Sequence, residues 1–188
     1  MWIAKLAVTL TVPVTLLSVR AAVRKPALFR HAVDLGCGTG LAALAFARQV
    51  DHFSGVDLSP RMIELARATG LYAELDVADM LQGLRNQPDA SADLVLAADA
   101  MIYVDDLLPL LTEAARVLKP GGLLAFTTET HEGEGVILGE GLRYAHAAAY
   151  VRATVAAAGL ELSLLEELSA RNEHDVPVPG LVVVATKT

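Results

Sequence analysis

A short glycine-rich stretch carries the most chemical information in this sequence. Residues 34–40 read Asp-Leu-Gly-Cys-Gly-Thr-Gly, between a buried strand predicted over His31–Leu35 and a helix predicted over Leu41–Gln49. Such a turn needs residues without side-chain bulk where the backbone approaches a ligand or adopts positive φ. In an open α/β sheet, ligands bind at this carboxyl edge of the strands. The stretch therefore predicts a ligand-binding turn, with a purely structural turn as the alternative.

Three acidic residues lie beside this turn or at the ends of the next two predicted strands. Asp57 ends the second strand, where a carboxylate can accept hydrogen bonds from two ribose hydroxyls. Its alternative role is a turn or helix cap, although Ser59 already supplies a cap. Asp79 follows the third strand and is interpreted either as a partner of an adenine amino group or as the N-cap of a short helix, two compatible roles. Asp34 is expected to orient the loop backbone or to reach an ammonium group of the ligand.

The rest of the chain alternates short apolar runs with helical periodicity, which predicts βα units on a parallel sheet in one domain. Residues 129–143 are rich in glycine and are predicted to form a loop long enough to suggest a function. The further predicted strands are Phe53–Asp57, Leu71–Leu75, Ala92–Ala98, Leu123–Thr128, Leu160–Leu168 and Leu181–Thr186. The further predicted helices run from Pro60 to the stop at Gly70, over Met80–Asn86, from Asp105 or Asp106 to Leu118, and over His146–Ala158.

Composition narrows the classes of partner. The 188 residues fit one domain, and a net charge of −7 opposes unaided binding to nucleic acid, whose phosphates must be neutralised. A small molecule is the expected partner. The single cysteine excludes an internal disulfide and fits a reducing compartment. The histidines show no zinc-type spacing, so no metal site is expected.

The first thirty residues form an atypical apolar segment, and the domain is assigned to residues 31–188. Leu6–Val19 is an uncharged run interrupted by Pro13. It is shorter than the ~20 apolar residues of a membrane-spanning helix, and its length suits the core of a signal peptide. A strand or packed helix leading into the domain is the favoured interpretation. A cytoplasmic protein without a membrane anchor is therefore expected.

Three blocks of sequence together resemble the class I S-adenosylmethionine-dependent methyltransferases, over about residues 31–186. The blocks are Val33–Gly40, Gly55–Pro60 with Met62, and Arg116–Gly122. The resemblance implies an α/β fold with a Rossmann-like seven-stranded sheet, strand order 3-2-1-4-5-7-6, an antiparallel strand 7 and helices on both faces. Within the class, the chain resembles the small-molecule type. Residues 141–146 and 176–180 further resemble predicted methyltransferases whose relatives often carry tetratricopeptide repeats.

The resemblance implies S-adenosylmethionine as the cofactor and supplies its binding residues. Cys37 is then a small loop residue and not a nucleophile, and Leu58 lies beside the adenine. Met62 is placed near the base, with a plain core methionine as an equal alternative. The full set of expected cofactor-binding residues is Asp34, Gly36, Cys37, Gly38, Gly40, Asp57, Leu58, Met62, Asp79 and Met80.

Methyl transfer from a sulfonium is an in-line displacement, so holding the reactants in line supplies much of the acceleration. A general base is needed only when the acceptor must lose a proton early. Asp99 is the leading candidate for contact with the acceptor or with the methionine end of the cofactor, because it follows the central strand. His146 is alternatively an ordinary surface residue that begins a helix. The other candidates are Tyr103, His131, Arg143 and Tyr144.

Two departures from the family affect the expected function. The sequence after the fourth strand, Ala98–Ile102, differs from the Asn-Pro-Pro-Tyr type that methylates amide or base nitrogens, which favours a small-molecule acceptor. Met1–Arg30 is unlike the helices that usually precede the first strand, so an incomplete acceptor pocket and weak turnover are expected. A non-catalytic S-adenosylmethionine-binding or scaffold protein is the first alternative. A nicotinamide dehydrogenase is the second, and the spacing Gly-x-Gly-x-Gly argues against it.

Overall fold

The computed structural model describes residues 28–139, 141–168, 171–173 and 176–188, without the side chains of residues 171–177. The strands are β1 (Phe29–Leu35), β2 (Val50–Asp57), β3 (Tyr72–Val77), β4 (Ala92–Ala97), β5 (Leu118–Glu129), β6 (Val136–Leu138), β7 (Tyr144–His146), β8 (Leu160–Glu167), β9 (Arg171–Glu173), β10 (Val176–Val178) and β11 (Gly180–Lys187). The helices are α1 (Leu41–Phe46), α2 (Pro60–Arg67), α3 (Met80–Arg85), α4 (Leu108–Val117) and α5 (Ala148–Ala157).

The main sheet runs in the order β3-β2-β1-β4-β5-β11-β8. Strands β1 to β5 pair in parallel, whereas β11 is antiparallel to both β5 and β8. Since β8 and β11 are the predicted sixth and seventh strands, the predicted order and the antiparallel seventh strand are confirmed. The parallel strands bring their carboxyl ends to one edge of the sheet, as the binding-turn hypothesis requires.

Strand β4 lies at the centre of the sheet and is covered on both faces. Leu94 and Leu96 belong to the cluster that includes Phe46 of α1. Val95, between them, belongs to the opposite cluster, which includes Leu111 of α4. Successive residues of a strand point to opposite faces, so a uniformly apolar run is the expected pattern for a strand with helices on both sides.

Several element boundaries differ from the predictions because strand pairing competes with local helix propensity. Helix α1 ends at Phe46 instead of Gln49, since β2 already begins at Val50, which pairs with Phe29 of β1. Helix α4 begins at Leu108, and the Asp106 carboxylate accepts a hydrogen bond from its first N–H at 3.0 Å. The acidic residues assigned to the helix therefore precede it.

The predicted loop over residues 129–143 contains secondary structure. Strand β6 pairs antiparallel with β7, and β7 also pairs with β5 through Glu129. His146, predicted to begin a helix, instead ends β7, and α5 begins at Ala148. The alanines of residues 147–149 extend a helical pattern toward His146, but hairpin pairing takes this residue into the sheet.

The apolar segment predicted over residues 1–30 lies outside the described residues up to position 27. In the part of the chain that is described, none of the helices is long and apolar enough to cross a membrane.

Candidate active site

A cleft of about 550 Å³ opens at the carboxyl edge of the parallel strands, within the usual size range of small-molecule sites. It is bounded by the end of β2, the turn after β1, the starts of α3 and α4, and the segment between β4 and α4. The residues that line it are Gly36, Asp57, Leu58, Ala78, Asp79, Met80, Leu81, Asp99, Ala100, Tyr103, Val104, Asp105, Asp106, Pro109 and Leu110.

The turn between β1 and α1 needs its glycines for conformation and for space. Gly36, Gly38 and Gly40 have φ values of 64°, 54° and 85°, in the left-handed region that side chains with a Cβ rarely adopt. A Cβ on Gly36 would lie 2.8 Å from the Cβ of Ala100. The loop therefore packs directly against the start of the segment that follows β4, and the prediction of a tight turn is confirmed.

The Asp57 carboxylate holds this loop in place. Its Oδ2 accepts a hydrogen bond from the Gly38 N–H at 2.9 Å, and its Oδ1 accepts one from the Ser59 N–H at 2.8 Å. Ser59 caps α2 through the Met62 N–H, as predicted. An ionised carboxylate has about four acceptor positions. Asp57, which lines the cleft, therefore keeps acceptor capacity for a ligand after making both backbone contacts.

Asp79 has the helix-capping role that the sequence left open. Its Oδ1 accepts a hydrogen bond from the Gln82 N–H at 2.8 Å, and its extended backbone makes it the N-cap of α3. Asp79 and its neighbour Met80 also line the cleft. The cap fixes the start of α3 at the edge of the cleft, so the second role, contact with a ligand, is compatible with this geometry.

Asp34 lies beneath the loop and does not line the cleft. It is 1% exposed, and the hydroxyl of Tyr72 donates a hydrogen bond to its Oδ2 at 2.6 Å. Burial raises the pKa of Asp34 to about 7; the Tyr72 hydrogen bond opposes this rise and the charge of Asp57 adds to it. Of the two roles expected for Asp34, this buried position agrees with orienting the loop backbone. It leaves Asp34 without direct access to an ammonium group of a ligand in the cleft.

Four further predicted cofactor residues also lie outside the cleft lining, namely Cys37, Gly38, Gly40 and Met62. Cys37 packs against Ile63 and Ala66 of α2, and burial raises the pKa of its thiol well above its usual value. It is thus unsuited to be a nucleophile, in agreement with the sequence analysis. Met62 is half-buried on α2.

Asp99 and Tyr103 are the acceptor-side candidates that the structure places in the cleft. Asp99 has a φ of 59°, uncommon for a residue with a side chain. Its N–H donates to the Thr127 hydroxyl at 2.9 Å, which fixes the strained backbone at the end of β5. Tyr103 is 67% exposed at the cleft surface.

The candidates from the long loop lie elsewhere, which corrects their predicted grouping with Asp99. Arg143 forms an ion pair with Glu129 at 2.9 Å, with both side chains less than a fifth exposed. His131 accepts a hydrogen bond from the Gly133 N–H within its own turn. Tyr144 lies in β7 opposite Leu138. The side chains of these residues are not part of the cleft lining.

His146 is a second correction, since it is neither a surface residue nor part of the cleft lining. Its side chain is fully buried. The Nε2 atom lies 2.9 Å from the carbonyl oxygen of Val104, and Nδ1 lies 2.7 Å from the hydroxyl of Thr128. Burial lowers the pKa of His146. With both nitrogens engaged, the ring is not positioned to take a proton from an acceptor in the cleft.

Sequence reasoning missed the stretch from Val104 to Leu110 as part of the cleft wall. The rule that ligands bind at strand ends identified candidate residues after β4 only up to Tyr103. The signal that could have extended it is the acidic pair before α4, which was assigned to the helix itself. Among the described residues that line the cleft, five are aspartates and none is Lys or Arg: Asp57, Asp79, Asp99, Asp105 and Asp106. The cleft is therefore suited to a cationic ligand.

Comparison with known proteins assigns this arrangement to a family. The profile of the family described as methyltransferase domain matches residues 33–126, half of the chain. This chain belongs to the methyltransferase domain family. The matched region contains the glycine loop, Asp57, Asp79 and Asp99, so the cleft lies within the part of the chain that defines the family. The predicted methyltransferase fold is confirmed by this match together with the observed strand order.

Individual relatives are similar over different lengths. The ubiquinone biosynthesis O-methyltransferase of Xylella fastidiosa is 32% identical over 108 residues, which cover 56% of this chain and 44% of that protein. The chain thus spans less than half of this curated relative. An S-adenosylmethionine-dependent methyltransferase structure from Mesorhizobium loti has a TM-score of 0.71 at 24% identity, covering 90% of this chain and 96% of that one.

A third relative was solved with small molecules bound. It is the 1,6-didemethyltoxoflavin-N1-methyltransferase of Burkholderia thailandensis, which contains 1,6-didemethyltoxoflavin and S-adenosylhomocysteine. Its TM-score is 0.74 at 16% identity, covering 97% of this chain and 78% of that one. At this identity the similarity shows a shared fold.

The buried carboxyl beneath the loop leads to a pH-dependent prediction. The folded-state pKa of Asp34, about 7, lies above the ordinary value of an unfolded aspartate. Its protonation therefore stabilises the folded protein most below pH 4, and this contribution is lost as the pH rises through 7. Asp34→Asn is neutral at every pH and can still accept a hydrogen bond from Tyr72. Its stability advantage over wild type, measured as the free energy of unfolding, should therefore be about 2 kcal/mol larger at pH 8 than at pH 5.

Urea unfolding at both pH values measures this difference. Comparing each variant with wild type at the same pH removes the contributions of the histidines, which both proteins share. Asp51→Asn, at the exposed opposite end of β2, is the control and should show no such gain. An Asp34→Asn effect of the same size at pH 5 and pH 8 would contradict the proposed protonation.

Proposed function

We propose that this chain is an S-adenosylmethionine-dependent methyltransferase that acts on a small-molecule acceptor. The observation that carries the proposal is the contact of Asp57 with Gly38, which links a carboxylate at the end of β2 to a glycine loop beside an acidic cleft. We assign the methyltransferase domain to residues 31–188 and the protein to the cytoplasm, where the cofactor is made.

The size and the charge of the cleft support binding of the methyl donor. S-adenosylmethionine carries a sulfonium, an ammonium and a carboxylate group, a net charge of about +1 at neutral pH, and the cleft lining carries five aspartates. A Cβ on Gly36 would collide with Ala100, so the loop approaches the cleft as bare backbone. We assign the ribose to Asp57, the adenine to Asp79, Met80 and Leu58, and the methionine end to Gly36. We assign Asp99 to the acceptor.

The other residues expected from the family act on the loop instead of on the cofactor. Gly38 and Gly40 supply the positive φ values of the turn. Cys37 fills the space between the loop and α2. Asp34 fixes the end of β1 through Tyr72. In this proposal Met62 is a packing residue of α2 and does not contact the base.

The cofactor, when bound, supplies an electrophilic methyl group whose leaving group is already good. The task of the protein is then to hold the acceptor in line and to keep its nucleophilic atom near the methionine end. Asp99 is placed for this role because its backbone is fixed to Thr127 at the junction of β4 and β5. Tyr103 adds an aromatic surface at the cleft mouth.

A small and partly apolar acceptor agrees with the cleft and with the relatives. Tyr103, Val104 and Leu110 contribute apolar surface to the wall near Asp99. The Xylella relative acts in ubiquinone biosynthesis and the Burkholderia structure holds 1,6-didemethyltoxoflavin. We propose a ring compound with a hydroxyl or amino nucleophile as the acceptor. We also propose that the chain is related to the methyltransferases whose relatives carry tetratricopeptide repeats, on the basis of residues 141–146 and 176–180.

Cofactor binding is the first test of the proposed function. Calorimetric titration of the wild-type protein with S-adenosylmethionine and S-adenosylhomocysteine should give micromolar dissociation constants, about −8 kcal/mol. Asp57→Ala should weaken both by at least about tenfold, since hydrogen bonds to a charged group contribute ~1.5–3 kcal/mol. Asp51→Ala, on the same strand but at its far end, should bind as wild type does. Equal affinity of the Asp57 and Asp51 variants would overturn the site assignment.

Turnover is the second test. Formation of S-adenosylhomocysteine is measured with a panel of hydroxylated and aminated aromatic compounds, including quinols. Asp99→Asn isolates the effect of the carboxylate charge, because asparagine tolerates positive φ and has a side chain of the same size. Its turnover should fall by about 100-fold, the effect of a misplaced acceptor, while its affinity for S-adenosylhomocysteine stays within about threefold of wild type.

The same assay separates the enzyme from the non-catalytic alternative. A wild-type protein that binds the cofactor but yields no S-adenosylhomocysteine with the whole panel would favour a cofactor-binding or scaffold protein. Unchanged turnover in Asp99→Asn would show that this residue does not face the acceptor.

A further inference from the structure

The wall of the cleft between β4 and α4 has little backbone support of its own. Its single 3-10 turn, Met101–Tyr103, is closed by two hydrogen bonds, from the Tyr103 N–H to Ala100 and from the Val104 N–H to Met101. The residues after this turn, up to the start of α4, face the cleft with Val104, Asp105 and Asp106. The Asp105 and Asp106 carboxylates cap neighbouring N–H groups, and side chains from β7 and α5 add the long-range contacts.

The ring of His146 supplies one of these contacts, and its tautomer follows from its partners. The Val104 carbonyl can only accept a hydrogen bond, so Nε2 carries the proton and donates it across 2.9 Å. In the neutral ring Nδ1 is then an acceptor, and the Thr128 hydroxyl donates to it across 2.7 Å. Burial lowers the pKa of His146, which keeps this neutral form at pH 7.

Tyr150, in the first turn of α5, supplies the second set of contacts. Its ring stacks on that of His146 with centroids 5.7 Å apart. Its hydroxyl accepts a hydrogen bond from the Leu107 N–H at 3.0 Å and donates one to the Asp106 carboxylate at 3.3 Å. The two stacked rings thus hold the segment at Val104, Asp106 and Leu107.

Both ends of the wall are connected to the same strand. The Thr127 hydroxyl accepts the Asp99 N–H directly, and the next residue, Thr128, reaches Val104 through His146. The carbonyl of His146 is itself held by the Thr130 hydroxyl at 2.8 Å. The end of β5 is therefore a common anchor for Asp99 and for the wall that follows it.

We propose that His146 is a positioning residue of the methyltransferase site. Neutral and protonated on Nε2, it connects Thr128 to Val104 and, together with Tyr150, fixes the wall that carries Tyr103, Asp105 and Asp106. This role explains why a histidine occupies a fully buried position at the end of β7. A neutral imidazole can donate a hydrogen bond from one nitrogen and accept a hydrogen bond at the other. The inference rests on the proposed function, because the wall matters only if the cleft holds the cofactor.

Three variants separate the contacts. Tyr150→Phe removes one oxygen and keeps the stacked ring. His146→Leu removes both ring hydrogen bonds, whereas His146→Gln retains an amide that can donate to Val104. Val184→Ala, in the fully buried centre of β11 and away from the cleft, is the control for a general loss of stability. Thermal unfolding of all four variants shows how closely their stabilities match.

Amide exchange of the ligand-free proteins, followed by NMR, tests the positioning role without relying on the cofactor. The Leu107 N–H donates to the Tyr150 hydroxyl, so it should exchange about tenfold faster in Tyr150→Phe. The Tyr103 and Val104 amides should exchange faster in His146→Leu and at nearly the wild-type rate in His146→Gln. Nitrogen shifts of the wild-type imidazole should show a proton on Nε2 and none on Nδ1.

Calorimetry with S-adenosylhomocysteine connects the wall to the site. His146→Leu should bind about tenfold more weakly, His146→Gln should recover to within about threefold of wild type, and Val184→Ala should bind as wild type does. The proposal is overturned by wild-type affinity and exchange in His146→Leu, by an Nδ1-protonated ring, or by equal weakening in Val184→Ala. If the wild-type protein fails to bind S-adenosylhomocysteine, the proposed function fails, and the exchange experiment still decides the structural role of His146.

Discussion

The hydrogen bond from the Gly38 N–H to the Asp57 carboxylate is the constraint on which the rest of the site depends. It connects the turn after β1 to the end of β2, two points that only the parallel pairing of these strands brings together. The loop needs this partner because its left-handed glycines have little side-chain packing to hold them. The same carboxylate faces the cleft, so one group shapes the loop and offers acceptors to a ligand.

Charge is distributed unevenly between the cleft and the layer beneath it. Five aspartates line the cleft, while Asp34 lies just below the loop, where burial raises its pKa to about 7. An ionised Asp34 would add repulsion with the Asp57 carboxylate, which raises the pKa of Asp34 further. The site thus presents its negative charge where a cation can bind, and the buried carboxyl accepts a hydrogen bond from the Tyr72 hydroxyl.

The sequence was sufficient for features that depend on local rules. The glycine turn, the Ser59 cap and the position of Asp57 follow from periodicity and turn chemistry, whereas the strand order was implied by the resemblance to the family. The contacts of His146 with Thr128 and Val104 join residues that are distant in sequence, so the sequence could not reveal them. The alanines that follow His146 favour a helix, and the strand that it ends was therefore predicted as the start of a helix. The wall around Asp105 was missed for the same reason, since side chains of β7 and α5 place it.

The central claim is that the loop and its carboxylate form the cofactor site, and an NMR titration tests it most directly. S-adenosylhomocysteine is added to the isotope-labelled wild-type protein while the backbone amide shifts are followed. The account predicts that the amides of Gly38 and Ser59, both bonded to Asp57, shift among the most and saturate together with those of the cleft wall. Saturating shifts confined to other faces of the sheet, with these two amides unchanged, would contradict it.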